Sequence, residues 1–260
     1  MNEGYQIFDS DIAVKVIINT KDLLLNSTLS ERQIYLAVIE EINRKFNSVN
    51  IPLISMVSKE NYAVRKNWKH YISLWIHFPV NKRQRAITLC YLEEKRPVAS
   101  IIYFPLEDIL YLTPDIHKAY KIQRQQISEG LYKKNKLNER LQIRQPMSSM
   151  FFRILRSSKI SFKTEEYIKD ILNYRSGAIH VSENDYITNL CEIAEGKADL
   201  YPYINSISEY KIAPFDALIK ACGYSVTSTD GISSIQYNSK KLVLSGFIAK
   251  NNYEYDISIF

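Results

Sequence analysis

Residues 191–202 read C-E-I-A-E-G-K-A-D-L-Y-P, and residues 208–224 read S-E-Y-K-I-A-P-F-D-A-L-I-K-A-C-G-Y. These two stretches decide the fold. In the second, Pro214 suits the first turn of a helix, where its missing N–H would be an orphan anyway, and the helix is expected to run through Cys222. Gly223 then supplies the left-handed residue that ends it. In the first, Ile193 is read into a strand, with Asp199 and Tyr201 fixing a turn at the end of a buried strand. Further strands around Ile179, Val226 and Phe247 complete a second sheet in this half of the chain.

Upstream, Thr164 is expected to cap a helix through Asn173, with Tyr167, Ile168, Ile171 and Leu172 on its buried face. Closer to the start, Ser30-Glu31-Arg32-Gln33 fits a capping box: the Ser30 hydroxyl and the Gln33 amide can satisfy each other's orphan backbone donors. Ile34, Val38, Ile42 and Phe46 follow at helical spacing, giving an amphipathic helix that ends near Asn47. Beyond Pro52 the chain turns strand-like, over 51–57, 71–77, 86–92 and 98–103, and the polar E-E-K-R-P at 93–97 predicts a hairpin between the last two. The segment 123–144 is polar, basic and without apolar periodicity, as expected of an exposed loop or hinge. The division expected is therefore an α+β half over 1–122, a connection over 123–145 and an α/β half over 146–260, together one unit. The alternating Y-E-Y-D-I-S-I-F at the C-terminus reads as an edge strand or a dimer contact.

The chain has 260 residues, 46% of them hydrophobic and 24% charged, enough to bury a sizeable core. With only 7 Gly and no G-x-G-x-x-G or Walker-type run, no glycine-rich phosphate cradle is expected. The net charge of +6 is spread along the chain among acids, with no basic stripe and no reader motif, so nucleic acid is not an expected partner. Cys90, Cys191 and Cys222 are odd in number and widely spaced, which argues for buried reduced thiols rather than disulfides or a zinc site. The N-terminus lacks a basic start followed by a long apolar run, and no segment reads as membrane-spanning; the expectation is a cytoplasmic protein.

The stretch from Cys191 to Tyr224 resembles the C-terminal signature of the inositol monophosphatase superfamily, in particular its bisphosphate nucleotidase branch, where E-G-K-A-D-L-Y-P is followed by E-W-D-x-A-A-G. The middle portion, S-L-W-I-H-F-P-V-N-K-R and onward to Tyr111, is similar to that family's strand and D-P-L-D-G-T loop. The resemblance implies a layered α/β fold of the αβαβα sugar-phosphatase kind, and a homodimer is compatible with it. It also implies a two-magnesium phosphatase site, in which clustered carboxylates hold the metals and activate water.

This sequence departs from that pattern at each place. The Asp that follows the Trp in E-W-D and holds magnesium falls on Lys211, whose ammonium cannot ligate a metal without losing its proton. The two acids of D-P-L-D-G-T fall on His77 and Val80, and its Gly-Thr on Asn81-Lys82. A Ser-Glu-Glu at a strand end corresponds to Ser58-Lys59-Glu60, and the G-S-S that receives substrate phosphate corresponds to Asp185-Tyr186-Ile187. The resemblance therefore points to a non-hydrolytic relative with no resident cofactor, a pseudoenzyme acting by binding or scaffolding.

Its partner would be a phosphorylated small molecule, held by Lys59, Lys82, Arg83 and Lys211 as fixed cations, or another protein. Chance loss of the acids in a basic chain explains the same lysines without any ligand. Two further readings stay open. One is a metal-dependent phosphatase with a rebuilt site, using magnesium and acids such as Asp216, or a transition metal on His77 and Glu60. The other is non-specific polyanion binding by a basic surface, which needs no cleft.

Overall fold

The computed structural model describes residues 9–26, 28–46, 51–57, 60–78, 85–123, 151–174 and 176–251. Two antiparallel helices open the chain, α1 (Ser10–Asn19) and α3 (Glu31–Phe46), with the short α2 (Lys21–Asn26) between them. The capping box forms as expected: the Ser30 N–H donates to Gln33 Oε1 at 2.9 Å, and the Gln33 N–H to Ser30 Oγ at 3.4 Å. The face of α3 carrying Ile34, Val38, Ile42 and Phe46 is buried, with Tyr35 added to it.

A six-stranded sheet follows in the order β1-β2-β3-β4-β5-β6, from β1 (Leu53–Ile54), β2 (His70–His77), β3 (Ala86–Glu93), β4 (Arg96–Phe104), β5 (Ile109–Asp115) and β6 (Lys118–Ile122). Only β1 runs parallel to its neighbour. A single turn of helix, α4 (Tyr62–Arg65), sits between β1 and β2. The strand expected over 51–57 shrinks to the two residues that pair with Ile72 and Ser73. The predicted hairpin is present: Glu94 and Lys95 both have positive φ, 47° and 63°, the pair of left-handed residues that lets two strands turn without splaying. Residues 71–76 and 86–92 are buried without interruption. Helices cover both faces of this sheet, so its central strands lack the polar–apolar alternation of a half-exposed one.

The second half builds a five-stranded sheet, β11-β13-β9-β7-β8, from β7 (Phe151–Ser157), β8 (Ser176–Ser182), β9 (Leu200–Tyr203), β11 (Ser225–Thr227) and β13 (Phe247–Lys250). A two-stranded ribbon joins β10 (Ile207–Ser208) to β12 (Val243–Leu244). Three helices belong to this half: α5 (Phe162–Tyr174), α6 (Tyr186–Ala194) and α7 (Glu209–Ala221). Helix α7 touches β2 to β6 of the first sheet and β11 of the second, and α6 packs beside it against β7, β9 and β13. The layers therefore run α1/α3, first sheet, α6/α7, second sheet, α5. Among the described residues no helix is long and apolar enough to cross a membrane.

Four local expectations change. Ile193 lies in α6, because Ile187, Leu190, Cys191 and Ala194 recur at helical spacing and all are buried; the strand begins only at Leu200. Thr164 lies inside α5, and Ser161 caps it: the Thr164 N–H donates to Ser161 Oγ at 3.2 Å. Pro214 sits inside α7, which starts five residues earlier at Glu209; the carbonyl at Tyr210 receives no proline N–H, and burial against two sheets holds the helix there. Asp199 precedes its strand rather than ending one, and anchors it by accepting from Arg153 Nε at 2.9 Å, Arg153 Nη2 at 2.8 Å and the Arg153 backbone N–H at 2.9 Å.

Gly223, with φ 86°, ends α7 as expected: the Tyr224 N–H closes back on the Ile219 carbonyl at 3.0 Å. Cys90, Cys191 and Cys222 are all free and buried, and burial pushes the thiols of Cys90 and Cys191 well above their ordinary range. The segment 124–150 and the C-terminal Y-E-Y-D-I-S-I-F lie outside the described residues.

Candidate functional site

An aromatic cluster is assembled where β2, α6, β9 and α7 converge. Alternation along β2 puts Trp75 and His77 on one face, toward the α6/α7 layer. There the His77 and Trp75 rings lie 5.0 Å apart, and Trp75 stacks on Tyr186, the first residue of α6, at 5.9 Å and 18°. Tyr186 in turn meets Tyr203 of β9 at 5.7 Å. The first turn of α7 delivers Lys211, whose ammonium lies 5.4 Å from the centroid of the Trp75 ring. A cation over an indole face contributes about 0.5–2 kcal/mol, depending on how far it is desolvated. Among the described residues no carboxylate comes within ion-pair distance of Lys211.

Asp185 is the N-cap of α6. One carboxylate oxygen accepts from the Thr188 N–H at 3.2 Å; the other approaches His77 Nε2 to 2.6 Å. That approach is off the hydrogen-bond axis, so it is a close polar contact rather than an aligned hydrogen bond. The His77 and Asp185 side chains are only 17% and 20% exposed, which keeps water from screening them fully.

Glu209, two residues before Lys211, faces elsewhere. It is buried and accepts from the Asn238 N–H at 2.6 Å and the Ser239 N–H at 3.1 Å. Burial pushes its carboxyl pKa up, against the opposing pull of those N–H groups and of Arg65. The Arg65 guanidinium is itself buried, donating to the carbonyls of Glu60 at 2.9 Å, Ser239 at 3.1 Å and Lys240 at 3.0 Å, and to the Asn238 side chain. Glu209 and Arg65 together pin the loop before β12 onto α4 and α7.

The sequence-derived candidates are only partly brought together. Lys211 and His77 share the aromatic cluster. Lys59, Val80, Lys82 and Arg83 lie outside the described residues. Glu60 is exposed and serves through its backbone carbonyl, and His77 is engaged with Asp185. Asp216 does not reach the cluster: five residues on from Lys211 it faces another side of α7, fully buried, bonded to Lys220 Nζ and the Tyr237 hydroxyl at 3.0 Å each.

Anchoring D-P-L-D-G-T on its proline at Pro79 puts its acids on Phe78 and Asn81, and its Gly-Thr on Lys82-Arg83. Phe78 packs on Tyr35 at 6.2 Å and has no ligating atom. Because β1 ends at Ile54, the triplet that leaves the strand is Ser55-Met56-Val57, again without a carboxylate. Magnesium requires an oxygen-rich octahedron, and among the described residues no group of three or more His, Cys, Asp or Glu could hold a metal ion. The donors among the described residues do not make up the two-magnesium site implied by the resemblance.

Residue-by-residue reading missed the Trp75–Tyr186–Lys211 cluster. Its one available signal was Trp75, two residues before His77 on the same strand face.

Comparison with known proteins converges on one family. The profile of the inositol monophosphatase family matches residues 76–259. The 3'(2'),5'-bisphosphate nucleotidase CysQ of Salmonella typhimurium is 22% identical over 203 residues, covering 75% of this chain and 73% of the relative, and that of Buchnera aphidicola is 22% identical over 212 residues, covering 78% and 72%. The crystal structure of CysQ from Bacteroides thetaiotaomicron superposes with a TM-score of 0.77 at 22% identity, covering 94% of this chain and 97% of that one. The Thermotoga maritima inositol monophosphatase gives 0.65 at 14% identity, covering 93% and 91%. With the family profile spanning well over half of its length, this chain belongs to the inositol monophosphatase family.

Proposed function

We propose that this chain is a non-hydrolytic member of its family, a cytoplasmic pseudophosphatase that binds a phosphorylated anionic ligand without metal and does not turn it over. The observation that carries the reading is Lys211: a cation held over Trp75, with no acidic partner among the described residues, stands where the family pattern calls for a metal-binding Asp. A fixed ammonium on an aromatic floor attracts a phosphate group as a point charge. Among the described residues no group of carboxylates is placed to hold a metal and activate water, which supports binding without hydrolysis.

The test uses a nucleotide 3',5'-bisphosphate, the class named in the CysQ relatives. Phosphate release with magnesium or manganese is expected to stay at background. Calorimetry without metal is expected to show saturable binding that Lys211→Asp abolishes. Metal-dependent turnover would refute the reading. Binding that falls steeply with salt yet survives Lys211→Asp would replace it with general polyanion attraction.

A further inference from the structure

We infer that the space between β2 and the start of α7 is a binding site for an ordered water molecule, which bridges the Ser73 hydroxyl to the Glu209 carboxylate and so fixes the two elements that carry Trp75 and Lys211. The inference is independent of what Lys211 binds and of whether anything is hydrolysed there.

A cavity lies between β2 and the first turn of α7. It is lined by Tyr71 and Ser73 of β2, by Glu209 and Tyr210 of α7, and by Tyr237 and Leu242 of the loop that Glu209 pins, and every one of these side chains is buried. There is room for about one water molecule. Ser73 is only 2% exposed, and among the described residues its hydroxyl has no hydrogen-bond partner. A hydroxyl left dry in such a place costs the full desolvation of the group. The Glu209 carboxylate accepts from the Asn238 and Ser239 N–H groups, which leaves it acceptor capacity to spare. A void lined only by hydrocarbon stays empty, whereas one with a hydroxyl on one wall and a carboxylate on the other suits a water. Ser73 can donate to the water oxygen, and the water can donate to Glu209.

The hydroxyl is no isolated polar atom in an apolar sheet. Register sets Ser73 beside Cys90, Cys90 beside Ser100 and Ser100 beside Thr113, a row of small polar side chains on the face that α7 covers. Of these four, Ser73 lines the cavity. Position gives the water its consequence. Ser73 and Trp75 are two residues apart on one face of β2, and Glu209 and Lys211 are two apart in the first turn of α7. A bridge from Ser73 to Glu209 therefore helps to set the spacing at which the Lys211 ammonium meets the Trp75 ring, 5.4 Å from its centroid.

The test joins a crystal structure of the wild type, at a resolution that shows ordered water, to urea unfolding of Ser73→Ala and Ser73→Val. Density is expected within hydrogen-bond distance of both Ser73 Oγ and the Glu209 carboxylate in the wild type, and its loss in Ser73→Val, whose methyl groups take the space. The folding equilibrium constant of Ser73→Ala should fall about fivefold, because the water and Glu209 lose a partner. The sign of the change decides the matter. Deleting a hydroxyl that truly had no partner would stabilise the fold, and so would filling a dry cavity. A wild-type cavity without density, or either variant as stable as the wild type or more so, overturns the inference. Should a variant fail to fold, the wild-type density alone decides.

Discussion

The stretch Glu195–Asp199 and the stretch Ser208–Lys211 sit thirteen residues apart in one signature and treat charge in opposite ways. In the first, every charged side chain is consumed internally: Glu195 takes Lys121 at 2.8 Å, Lys197 at 2.9 Å and the Tyr111 hydroxyl, and Asp199 takes Arg153. In the second, Glu209 is consumed by a loop, while among the described residues Lys211 meets only an aromatic ring. The first stretch ties the layers together: Glu195 reaches Tyr111 and Lys121 of the first sheet, and Asp199 reaches Arg153 of the second. The second contributes one residue, Lys211, to the aromatic cluster of Trp75 and Tyr186.

Substitution should separate the two stretches by size of effect. Asp199→Ala leaves the Arg153 guanidinium without its bidentate partner at the root of β9, and should lower stability by about 3 kcal/mol in urea unfolding. Glu195→Gln should cost less, about 1–2 kcal/mol at neutral pH, because a neutral amide keeps some of the hydrogen bonds.

Glu195 also sets a pH signature. Burial opposes its ionisation, but hydrogen bonds from Lys121, Tyr111 and Lys197 prevail and hold its pKa below the ordinary 4.5. Its stabilisation is therefore complete above about 4.5 and lost as pH falls through the lower folded value. A plot of unfolding free energy against pH should lose part of its acid limb in Glu195→Gln. Lys211→Gln, the smallest of the three, should change stability by less than about 1 kcal/mol while altering Trp75 fluorescence. A large destabilisation from Lys211→Gln, or none from Asp199→Ala, would dissolve the contrast between the stretches.

What the sequence made legible follows the range of the forces involved. The capping box at Ser30, the hairpin at 93–97 and the stop at Gly223 are settled by neighbours within a few positions, and they could be read directly. Ile193 and Pro214 were misplaced because their context is tertiary: two sheets enclose the α6/α7 layer, so strand-like apolar density there is helix, and a proline survives mid-helix under that packing. The aromatic cluster was the least legible. Trp75, Tyr186 and Lys211 come from three separate elements, and no local pattern announces that they meet. The partner of His77 was likewise hidden, since in sequence Asp185 stands only as a counterpart of the family's G-S-S, with nothing to tie it to β2.

Tyr35 of the outermost helical layer places its hydroxyl against both backbone groups of Ile76, accepting from the N–H at 2.8 Å and donating to the carbonyl at 2.9 Å. Ile76 is the immediate chain neighbour of His77. The imidazole is thereby registered from behind, by a helix on the far face of the sheet. A loosened α3 would let the aromatic cluster drift even though no residue in it had been altered.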